Sequence, residues 1–214
     1  MSERLTAEID RLYEVFGRVP RPLRMEGCSH CVEPDEDRPL LETPLRSLDE
    51  DTLRRYATDA LYLWGDVDDL RYFLPRLLEL AAEDEFNFPD PEIVFRKLSA
   101  GEFQTWADDE RDAVHAFLAR WWETRLEDDD PCPCIETVLC SLGLTRVDLA
   151  PFLEHWERLD SEGAIRNLHD FVIEDVTWRP SGPAGGGPKL RNGYWEFGPD
   201  GHQAVITWLT GGPA

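Results

Sequence analysis

The chain reads as all-α: antiparallel helix pairs set out either as a HEAT-like stack or as an irregular helical bundle. Three features carry that reading. Apolar residues recur at spacings of three and four along most of the 214 residues. Helix-start signals precede these runs. No period-two alternation is visible before residue 176.

Leu5, Ile9, Leu12, Tyr13 and Phe16 share one helical face and predict a first helix over about 2–17. Pro20, Pro22, Gly27, Pro34 and Pro39 make 18–46 loop-like, with room for one short helix. Ser47 with Glu50 has the form of a capping box and predicts a helix through Leu53, Tyr56, Ala57, Leu61 and Trp64, ended by Gly65. Asp66 with Asp69 opens the next, whose stripe runs Val67, Leu70, Phe73, Leu74, Leu77, Leu78 and Ala81 around an interior Pro75. Pro91 suits the first position of a helix holding Ile93, Val94 and Leu98. A long helix is expected over about 108–127, then a loop at Asp128-Asp-Asp-Pro-Cys-Pro-Cys134, then helices over 135–142, 148–159 and 162–175.

A faint repeat favours the stack. Asp69–Leu80 matches Asp148–Leu159 at five of twelve positions, and Phe-Leu recurs at 73, 117 and 152. Helix-pair repeats of the HEAT type run at roughly 40–47 residues.

The composition changes near residue 179. Residues 1–178 read as an acidic helical domain, 179–193 as a Pro/Gly-rich linker, and 194–214 as an apolar segment with a short helix. Trp195, Phe197, Val205, Ile206, Trp208 and Leu209 are too apolar for a free tail. They predict docking, on their own domain or on a neighbour.

Charge excludes some partners. With 44 acids against 22 bases the formal net charge is −22. Nucleic acid is disfavoured, since phosphate binding needs surplus Lys and Arg. An anionic membrane surface is disfavoured for the same reason. No window approaches eighteen apolar residues and the first ten residues hold no apolar signal core, so a cytoplasmic protein is expected. Twenty of the bases are Arg, in keeping with the codon usage of a GC-rich bacterial genome.

Three groups of residues have chemistry to offer. Cys28-Ser-His-Cys31, joined by Cys132-Pro-Cys134, supplies four thiolates for a tetrahedral metal, and zinc is the metal they suit. The second pair has an uncommon spacing, and reduced loop thiols are the plainer reading. No cofactor is otherwise expected. A redox role would want the first pair at a helix N-terminus, where the dipole lowers a thiol pKa, and no thioredoxin-like βαβ pattern surrounds it. His169-Asp170 has the form used by HD-type metallophosphohydrolases, with His115, His155 and Asp175 as further ligands, although a surface His beside an acid explains it as well. Asp66, Asp68 and Asp69 cluster, but an EF-hand loop counted from Asp66 would place Arg71 where Gly is needed and Leu77 where Glu is needed. Helix capping accounts for them.

The acid runs at 83–85, 108–110 and 128–130 read either as an acidic face for a basic partner or as solvated helix ends. Trp64, Trp106, Trp121, Trp122 and Trp156 read either as the lining of a groove or as core. Nucleotide-binding glycine loops, His-Glu-x-x-His and Gly-x-Ser-x-Gly are absent.

At Cys28-x-x-Cys31 and at Trp64-Gly-Asp-Val-Asp-Asp-Leu-Arg-Tyr-Phe-Leu-Pro-Arg-Leu-Leu-Glu-Leu80 the chain resembles a family of bacterial proteins with no assigned activity. The resemblance runs from about Cys28 to Phe171. It implies a bacterial origin and a shared fold, and transfers no chemistry. The expectation is therefore a non-enzymatic, acidic, helical protein-interaction module, with an immunity or antitoxin protein for a basic toxin as its narrower form. A zinc or thiol protein on Cys28, Cys31, Cys132 and Cys134 is the alternative, and an HD-type metallophosphohydrolase a further one.

Overall fold

A computed structural model describes residues 2–33, 35–179 and 186–211. Among the described residues it is mostly helical, with one two-stranded antiparallel sheet. The chain divides into two units, Met1–Arg120 and Trp121–Ala214.

In the first unit, α1 (Glu3–Phe16) begins where the Ser2 hydroxyl accepts from the Leu5 amide, and it buries Leu5, Ile9, Leu12 and Phe16 as their spacing requires. The short α2 (Arg38–Glu42) and a 3-10 turn at Leu45–Ser47 follow. The next helix differs from its sequence reading at both ends. Ser47 lies in the 3-10 turn, and Asp49 caps α3 (Glu50–Asp59) by accepting from the Thr52 amide at 2.8 Å. This helix stops at Asp59 because the buried Lys97 amine takes the carbonyls of Thr58 and Ala60, at 2.6 and 2.9 Å, and Leu61 turns the chain with φ 67°. Asp66 and Asp69 form the expected reciprocal box at the start of α4 (Val67–Ala82). That helix continues through Pro75 and buries most of its length.

Both α3 and α5 (Pro91–Ala100) pack on α4, and so does α1. A stack would have each helix pair touch only its neighbours. Here α1 meets a helix three places along, so this unit is an irregular bundle around α4. α6 (Asp108–Glu127) contains the boundary between the units.

The second unit holds α7 (Ile135–Leu144), α8 (Ala150–Arg158) and α9 (Glu162–Asp170), the last ending in a π turn, Phe171–Asp175. Its core is aromatic. Trp122 meets Phe152 and Trp156, and Trp156 in turn meets Phe171 and Trp208. Asn167 on α9 donates to the carbonyls of Leu126 and Asp128 at 2.9 and 3.0 Å, closing the end of α6.

The segment read as a linker contains a strand. β1 (Val176–Arg179) pairs antiparallel with β2 (Gly187–Leu190), from Val176↔Leu190 to Arg179↔Gly187. Val, Thr and Trp in β1 favour extended backbone and give β2 a ladder to join. Residues 180–185, the centre of that segment, lie outside the described residues. The apolar C-terminal segment docks on its own unit. A 3-10 turn at Gly193–Phe197 buries Trp195, and α10 (Pro199–Leu209) packs on α7 and α8. Its contact with α7 is close: a Cβ on Gly143 would lie 2.6 Å from the Trp195 ring, and one on Gly201 would lie 2.9 Å from the Gly143 Cα.

Candidate functional site

The cysteines fall two and three between the units. Cys28 and Cys31 lie in the first, held at the ends of one turn in which the Cys28 carbonyl accepts from the amides of Cys31 and Val32, both at 2.9 Å. The turn is fixed from outside. The Cys28 amide donates to Leu63 O (2.8 Å), Gly65 N donates to Glu26 O (2.6 Å), and the Arg55 guanidinium donates to the Cys31 carbonyl. Cys132 and Cys134 are exposed in the second unit, and the Cys134 sulfur lies 3.4 Å from the Thr137 hydroxyl. Cys140 is buried. None of the five forms a disulfide. Among the described residues no group of three or more His, Cys, Asp or Glu side chains is placed to hold a metal ion.

The carboxylate clusters find partners within the chain. Asp66 and Asp69 cap α4. Burial pushes the Asp69 carboxyl above its usual range, and its acidic neighbours add to this. In the 108–110 run, Asp109 meets Arg18, and the buried Glu110 takes Arg71 at 2.5 Å. In the 128–130 run, Asp129 meets Arg166 at 3.0 Å. His169 and Asp170 are exposed and bond to each other at 2.9 Å. His115 packs against Phe103 in the first unit, the rings tilted by 51° with centroids 5.4 Å apart. Of the five tryptophans read as groove or core, all are buried.

What the sequence reading missed is a second apolar face on α9 and the π turn that follows it. Ala164, Asn167 and Phe171 form the buried face. Ile165, Leu168 and Ile173 are 57%, 36% and 65% exposed, and Val172 beside them is half-exposed. Ile165 and Leu168 lie three apart on one side of α9, and Val172 and Ile173 continue the apolar stripe onto the π turn. Here the stripe faces solvent. Asp160, Glu162, Asp170, Glu174 and Asp175 surround it in sequence against one base, Arg166, which Asp129 already engages. Trp178 on β1, just beyond, is also exposed. The signal was available: the segment has more apolar residues than one face needs.

Among the described residues no helix is long and apolar enough to cross a membrane. Comparison with protein-family models, with curated proteins and with solved structures returns no match.

Proposed function

We propose that the chain is a non-enzymatic protein-interaction module and that the solvent-facing stripe of α9 receives a basic amphipathic helix from another protein. The carrying observation is the exposure of Ile165 and Leu168 on α9 and of Ile173 on the π turn after it, within a segment holding five carboxylates and one arginine. An apolar stripe offers area to bury, and a helix laid along it reads i, i+3 and i+7 positions. The carboxylates choose the partner's sign. They also argue against self-association, since a second copy would set the same carboxylates against these. Neutralisation of a basic toxin is the narrower form of this function.

The test is photo-crosslinking in a bacterial lysate from positions 169 and 14, the second being exposed on α1 of the first unit. A protein with a basic amphipathic segment should be captured from 169 and not from 14. Ile165→Asp combined with Ile173→Asp should weaken its binding about tenfold or more, the scale set by losing two buried aliphatic anchors. Association should slow as salt is added. Equal capture from both positions, or capture indifferent to the double substitution, would overturn the proposal.

A further inference from the structure

β1 is paired on one side only. Its partner is β2, and among the described residues no strand lies beyond its other edge. The ladder bonds fix which groups face that edge. The Arg191 amide donates to the Asp175 carbonyl at 2.9 Å, one step before Val176↔Leu190, so Asp175 and Arg191 are a hydrogen-bonded pair. Bonded and non-bonded pairs alternate along an antiparallel ladder. Thr177 and Arg179 therefore bond to β2, while the Val176 carbonyl and the Trp178 N–H and carbonyl point outward. Pro188, opposite Trp178, agrees with this, since it has no N–H to give. It also leaves the far edge of β2 short of a donor, and α10 packs on that strand. β1 has neither protection. Thr177, Trp178 and Arg179 are exposed, Trp178 at 53%, and such an edge is a template for another strand.

The segment Asp175-Val-Thr-Trp-Arg179 is complementary to its own reverse. An antiparallel copy centred on Thr177 brings outward groups to outward groups. It sets Trp178 opposite Val176, Thr177 opposite Thr177 and Arg179 opposite Asp175. Aromatic with β-branched, Thr with Thr, and opposite charges are the cross-strand pairs that stabilise a sheet. The alternation allows the copy to move only by two residues, and either move loses the Arg179–Asp175 pair. We propose that two copies of the chain pair through β1 in this register, as a two-fold dimer with one continuous sheet, β2–β1–β1–β2.

In that dimer each Trp178 N–H donates to the Val176 carbonyl of the second copy, and each exposed indole gains an aliphatic neighbour across the dyad. Ile165 and Leu168 of α9, where carboxylates oppose a second copy, lie outside the ladder. Within 175–179 the one carboxylate meets an arginine. A ladder this short buries less than the roughly 1,200 Å² of a standard interface, and each chain carries a formal charge of −22. The dimer is accordingly weak, and it forms at high concentration with salt to screen the repulsion.

The test is sedimentation velocity of the full chain in about 0.5 M salt, at concentrations up to about 1 mM, where monomer should pass to dimer. Trp178→Pro removes the outward donor and leaves the β2 bonds of Thr177 and Arg179 in place. It should raise the dissociation constant about tenfold or more, the scale of two lost backbone bonds, while the monomer keeps its melting midpoint. Arg179→Asp, which sets a carboxylate opposite Asp175, should weaken the dimer as well. A crosslink reads the register directly. In a chain carrying Cys28→Ser, Cys31→Ser, Cys132→Ser and Cys134→Ser, Thr177→Cys should give a disulfide-linked dimer on mild oxidation. Non-bonded cross-strand pairs hold their Cα atoms about 4.5 Å apart, within disulfide reach. Lys189→Cys in the same chain would lie three strand spacings, about 14 Å, from its copy and should not link. A chain that stays monomeric, a dimer indifferent to Trp178→Pro, or linkage through 189 as fast as through 177 would overturn the proposal. No α9 residue is altered, so this pairing and the capture of a basic partner fail separately.

Discussion

Lys97 is one of two lysines in the chain, and nothing in its sequence context marks it. It is 1% exposed, its amine closes the end of α3 through the Thr58 and Ala60 carbonyls, and it lies 4.2 Å from the Tyr62 ring centroid. A residue buried by contacts from sequence-distant segments leaves no local periodicity to read. Burial lowers its pKa to about 8. In the unfolded chain the amine titrates near 10.4. Between those values the unfolded state binds more protons, so stability rises with pH through this window. Urea titrations from pH 7 to 10 should show that rise in the wild type and a smaller one in Lys97→Met; parallel profiles would count against the assignment. Above about pH 10 the sign reverses for Tyr13 and Tyr56, whose phenols burial holds protonated in the fold.

Among the elements, helices with a capped start and a single apolar stripe were legible. α1, α4 and α6 match their sequence readings because Ser2, Asp66 and one-sided spacing act within a few residues of each other. The end of α3 was not, since it depends on Lys97, 37 to 39 residues away. The β1–β2 pairing was hidden by the Gly/Pro content of the second strand. The cysteine turn was legible as a motif, but its anchors at Leu63 and Arg55 were not, because those partners lie far along the chain. The α7–α10 junction rests on glycines whose need is likewise set by tertiary approach. Gly143→Ala drives a methyl into Trp195, a large ring that is itself 3% exposed. Overpacking of this kind costs about 1–3 kcal/mol. Gly193→Ala meets nothing within 4 Å. The urea midpoint should therefore fall for the first and hold to within about 0.5 kcal/mol for the second. Equal effects would dissolve the close-approach argument.

For the molecule as a whole, the charge is less free than its total implies. At least twelve of the twenty arginines meet a carboxylate among the described residues. With 44 acids in the chain, a surplus of carboxylates still repels itself. Raising salt from about 0.05 to 0.5 M shortens the screening length roughly threefold. The melting midpoint should climb by about 2–4 °C, the response of a chain of this size to about 1 kcal/mol. A midpoint that falls or stays flat would mean that the arginine pairs outweigh the surplus. At this scale the sequence conveyed helical class and charge but not the division at residue 120, because that boundary lies inside an uninterrupted helix and leaves no mark in composition. One arrangement at the far end of the chain has an optical consequence. Trp208, near the end of α10, stacks on Trp156 with centroids 5.5 Å apart and rings 22° from parallel, while Glu157 holds its indole N–H at 2.7 Å. Two indoles so close couple their electronic transitions, and the coupling ends when the last helix leaves its groove. The second unit thus carries its own chromophore pair, and near-ultraviolet circular dichroism can follow C-terminal docking with no label attached.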